Sequence, residues 1–388
     1  MYPHQLDRLG GALQQAGVDA LVATSNANVA YVTGFRSFSR AVDPGVELAA
    51  VFARGRTVLI VPAIDAAAVE VSGVETDHVV CYGAPAPESG DGPGTAMPGP
   101  AGGSAATFAD AVAVALDTLA IHPVTIGIDE SGLGADGLPR LTARLAPAVT
   151  VRAAGPLAWA RSVKSPYEIE CLQRALGIAE ESVNAVLQML KPGVTEREAV
   201  IAFETEVVKR GAVPAPSMIG IGAGSAVPAA WPSDRALRMR DLVRFDLGCV
   251  YKGYHAVLVR TSVMGVPDHR QELVHSALLA GVEAAIDVIK PGVSSATVLQ
   301  AGLAAVRSMG LERYGRPHIG RGIGLEPAEP PELSQATPER LEAGMVLLAE
   351  APYYQPGWGG LGVTETVLVT QGGVHSLNRS HRGLIVLD

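Results

Sequence analysis

Apolar and polar positions alternate in two different rhythms along the chain, and the change between them falls near residue 162. Before it, Leu6, Leu9, Leu13 and Ala16 recur at helical spacing and predict an amphipathic helix over 5–17. Short apolar runs follow at 20–23, 48–52, 58–61, 79–81 and 125–128, with helical stretches between some of them. Such alternation predicts an α/β domain. Residues 84–106, dominated by Gly, Pro, Ala and Ser, read as a mobile loop, and residues 25–35 read as a turn plus a strand.

Beyond residue 162, Ser165 can cap a helix that has Pro166 at its first position and Glu168 three residues after the cap. Leu172, Ala175, Ile178 and Val183 continue that helix. An internal repeat follows. Met189-Leu190-Lys191-Pro192-Gly193-Val194-Thr195 recurs as Val288-Ile289-Lys290-Pro291-Gly292-Val293-Ser294, each copy between helical patterns. In each, Pro-Gly stops one helix while Thr195 or Ser294 can cap the next. Two αα units, each followed by strands, predict a pseudo-twofold domain with a cleft where the sheets of its halves meet.

At 388 residues the chain exceeds one ordinary core, and the change of texture suggests domains at 1–158 and 159–388. The apolar runs fall short of the roughly 18 residues that span a bilayer. The first residues lack the basic-then-apolar plan of a signal peptide. Three widely spaced cysteines, Cys81, Cys171 and Cys249, argue for a reducing cytosol and against a disulfide framework or thiolate metal site. A net charge of −9 without basic blocks argues against nucleic acid. The expectation is a cytoplasmic protein with a small-molecule substrate, no nucleic-acid partner and no membrane association.

The candidate chemistry lies in Phe245-Asp246-Leu247-Gly248, Tyr254-His255-Ala256-Val257, Gly320-Arg321-Gly322-Ile323-Gly324, Ala349-Glu350-Ala351-Pro352 and Val363-Thr364-Glu365-Thr366. Asp246 ends an apolar strand pattern, and a buried carboxylate there must be paired, hydrogen-bonded or bound to a cation. In this order the segments resemble the creatinase / aminopeptidase P / prolidase (M24) family. The stretch Asn28-Val29-Ala30-Tyr31-Val32-Thr33-Gly34-Phe35 is similar to part of that family's N-terminal domain. The resemblance implies an α/β N-terminal domain plus an α+β pita-bread catalytic-type domain, and a homodimer.

In that family Asp, Asp, His, Glu and Glu hold two divalent ions. Matched residue by residue, the resemblance keeps Asp246, Glu350 and Glu365, whereas Val257 stands for the second Asp and Arg321 for the His. Ala229 and Ala328 stand where two further histidines belong, Arg240 replaces a glycine and Glu329 is kept. The expected site therefore has no metal and no other cofactor, with Arg321 as the positive charge facing Asp246, Glu350 and Glu365. His255 shares a strand face with Val257, which aims it at the cleft. Trp231, His318, Tyr353 and Tyr354 are expected to line a substrate pocket. The leading expectation is a metal-independent hydrolase-like enzyme acting on a small amide, amidine or amino-acid-derived substrate, by C–N hydrolysis or by cyclisation or elimination. Its rivals are an inactive pseudo-peptidase that binds a ligand or protein, and an Xaa-Pro metallopeptidase with shifted ligands such as His255 or His318.

Overall fold

The early apolar runs become strands of one sheet, because each is short, rich in branched or small residues and bounded by turn formers. The structure is a computed structural model, and it describes residues 3–74, 77–83, 104–122, 125–336 and 338–388. Contacts divide the chain into two compact units, residues 1–161 and 162–388.

In the first unit the strands are β1 (Ala20–Ala23), β2 (Ala49–Ala53), β3 (Arg56–Pro62), β4 (His78–Tyr82), β5 (Ser104–Ala105), β6 (Thr125–Ile128) and β7 (Val149–Arg152). They pair in the order β5-β4-β3-β2-β1-β6-β7, antiparallel at β1–β2 and β2–β3 and parallel elsewhere. The strand interiors are buried, and the helix Phe108–Thr118 packs its apolar face on them. The stretch expected as a turn plus strand is instead largely a helix, Asn26–Thr33. Ser25 Oγ accepts from Asn28 N at 3.2 Å to start it, and Gly34 ends it at φ 79°, a left-handed conformation that glycine adopts freely. These two caps fix a helix where the turn plus strand was expected. Of the expected loop, residues 84–103 lie outside the described residues, and Ser104–Ala105 adds a strand to the sheet edge.

The second unit shows the repeat directly. Helices Pro166–Met189 and Glu196–Lys209 form one pair, and His269–Val288 and Ser295–Ser308 the other. Ser165 with Glu168, and Thr195 with Glu198, close reciprocal capping boxes, while Ser294 Oγ accepts from Ala296 N. The remaining strands are β8 (Val213–Pro214), β9 (Met218–Ile221), β10 (Leu242–Tyr251), β11 (Tyr254–Met264), β12 (His318–Gly322), β13 (Glu329–Ser334), β14 (Val346–Gln355), β15 (Gly359–Thr370), β16 (Gly373–Ser376) and β17 (Ile385–Leu387). They make one sheet of order β17-β11-β10-β8, with β9 also on β10, and a second of order β13-β12-β14-β15-β16. The two halves' sheets meet at β11 and β15, where Val259 N donates to Thr364 Oγ1 at 2.9 Å and Gly362 N to Thr261 Oγ1 at 3.0 Å. This is the pseudo-twofold arrangement that the repeat predicted and the pita-bread architecture that the resemblance implied.

One buried ion pair ties the start of this unit to its second sheet. Lys164 Nζ lies 3.0 Å from Glu329 Oε2, and both side chains are 1% exposed. Desolvating two charges costs several kcal/mol, so such a pair adds little net stability, but losing one partner strands the other. Lys164→Met is expected to lower unfolding free energy in urea by about 3–5 kcal/mol. Lys164→Met with Glu329→Leu should recover most of that loss, and a double variant no more stable than the single one would contradict this account.

Candidate active site

Residues on adjacent strands point to one face when they are directly paired, so register decides which of the expected groups meet. On the first sheet Asp246 pairs with Val259 and Gly248 with Val257. On the second, Glu350 pairs with Thr364 and Pro352 with Gly362. Asp246, Val257 and Val259 of the first sheet and Glu350, Pro352, Gly362, Val363 and Thr364 of the second, together with Arg316, His318, Arg321 and Tyr354, line a cavity of about 230 Å³. Val257 and Arg321 both line this cavity.

Each carboxylate in the cavity already holds a guanidinium. Arg321 Nη1 is 2.8 Å from Glu350 Oε1, and Arg321 Nε donates to Pro327 O at 3.2 Å. Asp246 Oδ2 is 2.9 Å from Nη1 of Arg244, a residue that the sequence reading missed. Arg244 is fully buried, and its other nitrogens donate to Ser225 O at 2.8 Å and Val227 O at 2.7 Å. The signal was present, since a charge inside the apolar run Leu242-Val243-Arg244-Phe245 has to be paired. Burial pushes the Asp246 carboxyl above its ordinary range, against the lowering pull of Arg244, and Glu350 adds to the rise. Burial likewise raises the Tyr354 phenol, whose ring lies 4.9 Å from the Arg244 guanidinium.

Several expected site residues lie elsewhere. Glu365 pairs with Ala349, one position out of phase with Glu350, so it projects to the opposite face of the sheet. There it is 3% exposed, accepts from the Ser376 hydroxyl, and faces Arg260 Nη2 at 4.0 Å and Arg382 Nε at 3.8 Å. Burial raises its carboxyl, opposed by Ser376 and the two arginines. The residue that faces the cavity at this turn of the strand is Thr364. His255 shares the face of Val257 but lies further along β11, outside the cavity lining; burial lowers its imidazole while Glu329 and Glu326 oppose that effect. Tyr353 alternates away from Tyr354 and packs edge-on against Trp358 at 6.1 Å. Trp231, 89% exposed, borders a second, more apolar cleft of about 440 Å³ with Met218, Pro228, Ala229 and Ala230. Asp246 lines both spaces.

The residues do not fit a two-ion centre. Of the matched ligand set, Asp246 and Glu350 face the cavity; Val257, Arg321 and Thr364 complete that face, and Glu365 is on the other side. Among the described residues no three His, Cys, Asp or Glu side chains converge as a metal site. A guanidinium about 4 Å from a divalent ion would repel it by roughly 8 kcal/mol at an effective dielectric near 20.

Residues 170–371 match "Metallopeptidase family M24", and residues 5–163 match "Creatinase/Prolidase N-terminal domain". The Xaa-Pro dipeptidase of Pyrococcus furiosus is 32% identical over 227 residues, 58% of this chain. The chain spans 63% to 65% of the length of such curated relatives. It matches the uncharacterized peptidase YqhT of Bacillus subtilis at 26% identity, over 99% of this chain and 100% of that one. The solved Xaa-Pro dipeptidase from Bacillus anthracis superimposes with a TM-score of 0.82 at 23% identity, covering 99% of each chain, a likeness of fold.

Arg321 is one of the cations that hold the Asp246 carboxyl down. A carboxyl with a raised folded-state value opposes folding once pH climbs past that value, and its effect vanishes below its ordinary range. Arg321→Ala should therefore lose about 1–2 kcal/mol at about pH 8, discounted for partial exposure. The deficit should narrow on acidification toward about pH 5. Melting curves of both proteins across this range check it; curves that track each other at every pH would show that Arg321 carries no charge-balancing role.

Proposed function

We propose that this chain, which belongs to metallopeptidase family M24, is a hydrolase that cleaves a C–N bond in a small amide, amidine or amino-acid-derived substrate without using metal ions. The carrying observation is the Arg321–Glu350 pair at 2.8 Å, a fixed cation in the face where the family sets a metal ligand. A guanidinium beside a substrate carbonyl offers directional donors to the developing oxyanion. Asp246, with its carboxyl pushed upward, is suited to take a proton from water and return it to the leaving nitrogen. The cavity of about 230 Å³ favours a substrate below the ~300–1,000 Å³ typical of ligand sites. Glu365, placed behind the sheet, has no part in proton transfer on this reading.

A second reading, an Xaa-Pro metallopeptidase, is supported by relatives that carry the name Xaa-Pro dipeptidase. The proposal extends to a cytoplasmic homodimer. Three buried cysteines without disulfide partners support a reducing compartment, and light scattering tests the dimer. Among the described residues no helix is long and apolar enough to cross a membrane.

Elemental analysis of the purified protein is expected to find no stoichiometric Zn, Mn, Co or Fe. A panel of Xaa-Pro dipeptides is expected to show no turnover, with or without added divalent ions. One or more tightly held ions per chain, together with turnover in the usual range of about 1–10³ s⁻¹, would replace the metal-free reading with the second one.

A further inference from the structure

A further cavity, of about 410 Å³, lies between the helix Pro166–Met189, the turn that joins β10 to β11, and Arg379. It shares no lining residue with the cavity around Arg321. Three cations line it, Arg174, Lys252 and Arg379, and among the described residues no carboxylate is within ion-pair distance of them. Of its two acids, Glu181 is joined to Arg210 at 3.0 Å, which leaves Glu170 against a surplus of positive charge. The Lys252 ammonium is steadied by two aromatic faces, with Nζ 5.7 Å from the ring centroids of both Tyr167 and Tyr251.

Exposed cations alone mark nothing, but two lining residues run against what their backbone prefers. Lys252 and Gly253 are the two residues between β10 and β11, and both have positive φ, 50° and 90°. A two-residue turn of this kind favours Asn-Gly, Asp-Gly or Gly-Gly, because few side chains accept the left-handed region. Gly177 interrupts the interior of a 24-residue helix, where glycine is a poor choice. Packing does not demand it, since a Cβ placed there would meet nothing within 4 Å. A lysine where the turn favours asparagine and a glycine where the helix favours a side chain line the same cavity. Departures from local preference of this kind collect at functional sites.

We propose that this cavity binds a small phosphate monoester, with its phosphate held by Lys252, Arg174 and Arg379 and its body lying over Gly177. An ammonium and two guanidinium groups offer more donors than one carboxylate can accept. A phosphate, with three terminal oxygens and close to two negative charges, matches them in count and in charge. Glu170 and Gln173, three residues apart on the helix, are placed to bond hydroxyl groups of the ligand body. The volume suits a small molecule, within the ~300–1,000 Å³ typical of ligand sites. The assignment stands apart from the hydrolase reading, because neither Asp246 nor Arg321 takes part in it.

Calorimetric titration of the full chain with D-ribose 5-phosphate, D-ribose, D-ribonate and inorganic phosphate tests it. The ester is expected to bind about tenfold or more tightly than ribose or ribonate, the difference that a charged hydrogen bond supplies. Inorganic phosphate should bind more weakly than the ester. Lys252→Asn, which removes the ammonium, and Gly177→Leu, which fills the cavity, should each weaken the ester by about tenfold. Both variants should melt no lower than wild type, because asparagine suits the turn and leucine the helix. Arg321→Ala, in the other cavity, should leave the affinity for the ester unchanged. No binding of the ester, equal binding of ribonate or inorganic phosphate, or affinity that survives Lys252→Asn or Gly177→Leu would each overturn the proposal. So would a loss of affinity in Arg321→Ala, which would put the anion in the other cavity, or a lower melting point in either cavity variant, which would give that residue a structural role.

Discussion

The pairing of β14 with β15, with Glu350 opposite Thr364, is the constraint on which the site depends. Side chains alternate across a strand, so a register fixed at one pair fixes the destination of every other. Glu350, Pro352 and Tyr354 go to the cleft, whereas Ala349, Ala351 and Tyr353 go to the core. On the partner strand the same rule sends Thr364 to the cleft and Glu365 behind it. The cleft is left with two acids in place of three, each already joined to an arginine, and a third arginine over.

The acid behind the sheet has work of a different kind. Arg260, nearly fully buried, donates from Nη1 to Thr364 O at 2.7 Å and to Val259 O at 3.0 Å, across the seam between the two sheets. Glu365 and Glu180 oppose the burial that lowers this guanidinium. The same cation and His381 help burial push the nearby His275 imidazole down to about 4, so the histidine stays neutral inside the network. Val259 and Thr364 both line the cavity, and the network beneath therefore fixes the floor on which a substrate would lie.

What could be read from the sequence was local or repeated. The capping pattern at Ser165, the cap at Thr195, the duplicated Pro-Gly turns and the apolar runs of the first sheet are each written within a few residues, and they carry the outline of the fold. The site was legible only as residue types. Glu365 satisfied a motif by being a glutamate near the right place, but a slip of one residue exchanges cleft for core, and no local signal distinguishes Thr364 from its neighbour. The pairing of Tyr353 and Tyr354 as site residues failed for the same reason. The helix Asn26–Thr33 was missed because Ser25 and Gly34, its caps, also punctuate turns.

On the proposed metal-free reading, guanidinium groups would stand in for ions and change what the fold can do. A divalent ion activates water by itself, whereas a guanidinium supplies charge and direction but stays protonated throughout. On that reading proton transfer would come from a carboxyl, and burial pushes the carboxyl of Asp246, in the cavity, above its ordinary range. Arg244 makes that displacement compatible with a fixed geometry. Its guanidinium reaches Asp246, Ser225 and Val227 at once, and Val227 adjoins Pro228 in the wall of the apolar cleft. One fully buried side chain thus fixes the aspartate and reaches the wall of the apolar cleft at the same time.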